Sequence, residues 1–220
     1  MGYKELIVLS KNAAKYCVGM EGNISGRVGD KLLIKASGTN LNSLKSDDLI
    51  AFDFSGKQLD KFNKRGSMEL GFHLFLLNNK EINFISHTHP TNTLKLLCSD
   101  FGEEFSLKRL FPDQVIFNGD ISCLVPYTKP GGDLTEMIKH HVNSFIEYNN
   151  TFPKLILLEN HGVIACGKTI DECQIITDIC EKSAEIFIGG KTLGNIKFLS
   201  DSDVADLMND KKEKYRKSLL

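Results

Sequence analysis

"EINFISHTHP", residues 81–90, places two histidines one residue apart, after an apolar run and directly before a proline. The run is rich in Ile and Phe and follows Asn-Asn-Lys, which predicts a strand. Side chains at i and i+2 of a strand point to one face, so His87 and His89 would project side by side. Pro90 ends the strand and leaves the pair at its tip, where sites are usually built. Two neighbouring imidazoles make half of a zinc-type site, which needs three protein ligands and an open position for catalysis. The bland alternative is two polar residues at a strand end, since the spacing alone is a weak signal.

Outward from this strand the chain alternates. A helical pattern runs from about Ser67 through "MELGFHLFLLNN", and "PTNTLKLLCSD" opens a helix on its proline. "NISGRVGDKLLIKAS" reads as a hairpin turning at Gly29-Asp30, and "IAFDF" and "SCLVPY" as strands. "KLILLEN" and "GVIACG" are apolar strands around Asn160-His161-Gly162. Helices are predicted over "YKELIVLSKNAAKYCVG", closed by Gly19, and over "GGDLTEMIKHHVNSFIEYNN", with Asp133 as N-cap. A long one covers "TIDECQIITDICEKSAEIFIGG" and ends at Gly189-Gly190. A single charged helix closes the chain over "DSDVADLMNDKKEKYRKSLL". Hairpins imply antiparallel pairing, with helices before, between and after the strands. The expected fold is α/β, a three-layer α/β/α sandwich around a mainly antiparallel sheet.

The 220 residues suit one domain, 1–220. With 27 basic and 28 acidic side chains, the chain lacks the charge excess that a broad nucleic-acid-binding surface needs. No run of about 18 apolar residues suggests a membrane span. The first residues lack the pattern of a signal peptide. Six cysteines without a CxxC read as reduced thiols, and the expected location is cytoplasmic.

A third metal ligand would raise the odds on the histidine pair. His161, in the Asn-His-Gly turn, is the best candidate, with Gly162 permitting unusual dihedrals. His140 and His141 fall among charged residues of an amphipathic helix. Glu69, in the first turn of its helix, is either a helix-end charge or the acid/base the site needs. His73 is four residues on and shares its face, which suits a structural partner.

Together these segments resemble the class II aldolase/adducin family, in order from "EGNIS" through "KASGTNL", "GSMELGFH" and "SHTHP" to "LENHGVIACG". The resemblance implies a divalent metal, usually zinc, on His87, His89 and His161, with Glu69 as general acid/base. It implies an anion pocket at Asn23, Ser37, Gly38 and Ser67, and a homotetramer with sites between subunits. The expected activity is retro-aldol cleavage of a ketose or ketose phosphate. Breaking a C–C bond beta to a carbonyl yields an enediolate, which a chelating metal stabilises while a carboxylate moves the proton. Decarboxylation of a 3-oxo acid phosphate uses the same parts. A 4-epimerase resembles a pattern with aspartate at position 69, and adducin-like modules lose the metal ligands. One departure stands out. Several sugar-phosphate aldolases of the family have a second serine where this chain has Met68, which cannot donate to a phosphate; Lys35 or Thr39 could meet the anion instead. No motif surrounds Tyr215.

Overall fold

The computed structural model describes residues 2–60 and 63–217. In chain order the elements are α1 (Tyr3–Ala14), β1 (Asn23–Val28), β2 (Lys31–Lys35), β3 (Leu49–Asp53), α2 (Leu70–Leu77), β4 (Phe84–Thr88), α3 (Thr91–Leu97), α4 (Gly102–Leu107), α5 (Pro112–Asn118), β5 (Cys123–Val125), α6 (Gly132–Asn149), β6 (Leu155–Leu158), β7 (Gly162–Gly167), α7 (Ile170–Leu193), α8 (Asp201–Asn209) and α9 (Lys211–Lys217). Among the described residues the strands form one seven-stranded sheet in the order β3-β2-β1-β4-β7-β6-β5. All neighbours run antiparallel except β5 and β6.

The strands at the centre explain the layering. On β6 and β7 every side chain is buried, and alternate residues pack on opposite faces. Ile156, Leu158, Ile164 and Cys166 join Phe72, Leu76, Ile138 and Val142 beneath α2 and α6. Leu155, Leu157, Val163 and Ala165 pack with Leu96, Phe105, Ile176 and Phe187 of α3, α4 and α7. Farther along that face, Leu6, Leu9 and Ala13 of α1 cover Ile24, Leu33 and Leu49. Burial on both faces is why these strands read as continuous apolar runs rather than alternating ones. Each fully buried Leu or Ile contributes about 1.5–3 kcal/mol relative to exposure. This is the expected three-layer α/β arrangement around a mostly antiparallel sheet.

Gly29 adopts φ +62° in the two-residue turn between β1 and β2, and Val28 pairs with Lys31 across it. Several boundaries differ from expectation. The long helix α7 runs through Gly189-Gly190 and stops at Gly194. Neither glycine has a positive φ, so neither breaks the helix, whereas Gly194 has φ +143°. The cap of α6 is Gly131, and Asp133 lies within the first turn. The closing charged segment is two helices separated at Asp210, whose side chain accepts from the amide of Lys212; its last three residues lie outside those described. Helices α4 and α5 had no counterpart in the sequence pattern, being short and of mixed polarity. Among the described residues no helix is long and apolar enough to cross a membrane.

Candidate metal centre

The sheet brings together residues far apart in sequence. His87 is the fourth residue of β4 and pairs with Asn23 of β1 on one side and Ile164 of β7 on the other. His89 lies just past the strand end. His161 sits in the turn from β6 to β7, where the positive φ (+53°) belongs to Asn160. Gly162 has a different task from the one its sequence suggested. A Cβ there would lie 2.5 Å from His89 Cδ2 and 2.5 Å from the carbonyl oxygen of Thr88. Only glycine lets β7 start so close to His89. A Cβ on Gly22 would likewise meet Cys17 Sγ at 2.5 Å and the His87 carbonyl at 2.7 Å.

These approaches set the side chains of His87, His89 and His161 facing one another, with a nitrogen of each within 4.8 Å of the others. His87 Nδ1 donates to the carbonyl of Val163 at 2.9 Å, which leaves its Nε2 as a bare acceptor. That nitrogen is 3.2 Å from His89 Nε2. Burial lowers all three pKa values, His87 to about 3, so the rings are neutral at physiological pH. Neutral imidazole is the ligating form. Three convergent neutral imidazoles fit a divalent cation of zinc type.

Glu69 is buried beside them. It occupies the N-cap position of α2, one residue ahead of the expected first turn. Its Oε2 lies 3.4 Å from His87 Nε2 and its Oε1 3.5 Å from His161 Nε2. With the rings neutral these are contacts between a carboxylate and imidazoles, not ion pairs. Glu21, which the sequence pattern did not single out, stands 3.5 Å from His89 Nδ1. It lies in an irregular loop, where no periodicity flags a residue.

The remaining expected residues have these surroundings. Ser37 donates its amide to the Arg65 carbonyl, and Ser67 donates its own to Lys35, so the end of β2 and the segment before Glu69 run side by side. Ser67 Oγ accepts from the Glu69 amide at 3.3 Å. Gly38, at φ +76°, has open space around it. Asn23 is buried, with its amide engaged at both ends: Nδ2 donates to Glu69 Oε2 at 2.7 Å, and Oδ1 contacts His73 Nε2. Met68 is 70% exposed. Lys35 is buried; burial lowers its pKa, and its Nζ reaches the Met20 carbonyl at 3.4 Å. Thr39 donates its hydroxyl to the Ala36 carbonyl. His140 and His141 meet edge to face along α6, and Tyr215 is exposed on α9.

An α/β sandwich with a three-imidazole cluster and a buried glutamate at one end of its sheet defines the class. The chain belongs to the family of class II aldolase and adducin N-terminal domains, whose sequence profile matches residues 7–188. It is 32% identical over 174 residues to the L-fuculose phosphate aldolase of Methanococcus maripaludis strain C5, covering 78% of this chain and 86% of that one. It is 29% identical over 195 residues to the 3-oxo-tetronate 4-phosphate decarboxylase of Escherichia coli K12, covering 87% of each. A solved L-fuculose 1-phosphate aldolase shares the fold at TM-score 0.79 and 21% identity, covering 97% of this chain and 95% of that one.

Proposed function

We propose that the chain, as a single domain over 1–220, is a metal-dependent lyase that cleaves a C–C bond of a ketose or ketose phosphate in the retro-aldol sense. His87, His89 and His161 hold the divalent metal, and their nitrogen set suits zinc. When bound, the metal supplies Lewis-acid polarisation of the substrate's carbonyl and neighbouring hydroxyl oxygens. Glu69 holds and returns the proton that moves as the C–C bond breaks. Ser37, Gly38 and Ser67, with the free amide hydrogen of Asn23, line the rim that takes the substrate's anionic end. The observation that carries this reading is the Glu69 carboxylate, 3.4 and 3.5 Å from two imidazoles of the cluster. The similarity to fuculose phosphate aldolases supports a phosphorylated ketose. The similarity to the 3-oxo-tetronate 4-phosphate decarboxylase supports a second reading, loss of carbon dioxide from a 3-oxo sugar-acid phosphate, in which Glu69 protonates the resulting carbanion. Six free thiols support a reducing, cytoplasmic location. The family resemblance supports a homotetramer.

The test has two arms. Purified without chelator, the protein should hold about one zinc per chain, and His89→Ala should lose it. A screen of ketose 1-phosphates, free ketoses and 3-oxo acid phosphates should then find a substrate on which Glu69→Gln keeps its zinc but loses about 10²–10⁴-fold in turnover. Equal zinc in wild type and His89→Ala, or near-wild-type turnover by Glu69→Gln, would remove the assignment.

A further inference from the structure

Behind Glu69 lie three buried polar side chains outside the imidazole cluster: Asn23, Ser25 and His73. Asn23 and Ser25 are two apart on β1 and share a face; Glu69 and His73 are four apart at the start of α2 and share another. The strand and helix faces meet. Ser25 Oγ is 2.6 Å from His73 Nδ1, His73 Nε2 meets Asn23 Oδ1, and Asn23 Nδ2 is 2.7 Å from Glu69 Oε2.

The direction of every hydrogen bond follows from the last one. An ionised carboxylate only accepts, so it takes the donor end of the Asn23 amide. The acceptor end, Oδ1, then faces His73 Nε2, which must carry the proton. Burial keeps His73 neutral, so its Nδ1 is a bare acceptor and takes the Ser25 hydroxyl. Without His73, Asn23 Oδ1 loses its donor, and the Glu69 carboxylate alone is left to set the orientation of the Asn23 amide.

We propose that Ser25, His73 and Asn23 form a one-way hydrogen-bond chain that holds Glu69 Oε2 and leaves Oε1 to serve the substrate, making His73 a positioning residue. This rests on the reading of Glu69 as the proton-transfer group. It also gives Asn23 a first duty to Glu69 and only a second one to the anion.

Two measurements on the full zinc-loaded chain separate this proposal from the reading beneath it. Long-range ¹H–¹⁵N correlation spectra should show His73 as the neutral Nε2–H tautomer near neutral pH. The Nδ1–H tautomer or an imidazolium would overturn the proposal whatever the substrate. With a substrate in hand, His73→Phe and Ser25→Ala should lower kcat by about three- to tenfold, the worth of one hydrogen bond between neutral groups. KM and zinc content should stay within about twofold, and His73→Gln, which restores a donor, should recover part of kcat. Unchanged kcat in the variants that fold, or a loss that appears in KM instead, would overturn the proposal. If no substrate is turned over by the wild type, the functional reading fails and the tautomer alone decides the hydrogen-bond chain.

Discussion

Acidification should unfold the metal-free protein through its buried histidines. His73 and His87 are 0% and 1% exposed, and burial is the leading cause of both lowered pKa values, His87 falling to about 3 and His73 well below the usual value. In the unfolded chain each returns to about 6.5. Below that pH the unfolded state binds protons that the folded state refuses, so stability rises with pH and is lost as pH falls through 6.5. Between pH 7.5 and 5.5 the ratio of protonation factors changes tenfold per histidine, or about 1.4 kcal/mol each and about 2.7 kcal/mol for the pair. His89, His161 and His141, also lowered by burial, add in the same direction. Asp48 and Asp178, whose carboxyls are held low by Lys64 and by Lys15 with Tyr16, are lost only at lower pH. The chosen window therefore isolates the imidazoles. Urea unfolding of chelator-treated protein at the two pH values reads the effect directly. At m of about 2–3 kcal/mol/M the midpoint should fall by about 1 M. A change under about 0.7 kcal/mol would mean that the folded protein protonates these rings freely, and that they are not buried and neutral.

Two substitutions probe the geometry around the cluster. Gly162→Ala leaves every candidate ligand in place but drives a methyl group against His89 and Thr88, both 2.5 Å away; zinc affinity by competition titration should fall about ten- to a hundredfold, and an unchanged value would show that β7 can retreat. Met68→Ser places a hydroxyl at an exposed rim position beside Ser67; a phosphorylated hydroxamate mimic of the enediolate should bind about ten- to a hundredfold tighter by calorimetry, and no gain would show that another group, such as buried Lys35, already meets the phosphate. Sedimentation should give a tetramer at micromolar concentration, and a monomer would refute that expectation.

By itself the sequence determined the elements whose signal is local. The Gly29-Asp30 turn needs only a residue that tolerates positive φ, and β6 and β7 are short apolar runs of the kind a doubly covered strand shows. The HxH spacing placed two imidazoles on one strand tip for the same reason, since side-chain period along a strand is a property of the backbone. Helix ends were less legible. Gly189-Gly190 is a stop only if a positive φ is needed there; neither glycine has one, and the helix continues to Leu193. Only the tertiary structure decided that a turn at His161 meets that strand tip 72–74 residues away in sequence. The cause is the strand order β1-β4-β7, together with a glycine at 162 whose missing Cβ, not its dihedrals, admits His89. The Ser25–His73–Asn23–Glu69 chain depended on the fold as well. Each half is a spacing readable in sequence, i and i+2 on β1 and i and i+4 on α2, but no spacing says that the two faces touch. Which faces touch is set by how helices pack on a sheet, and that is a property of the whole chain.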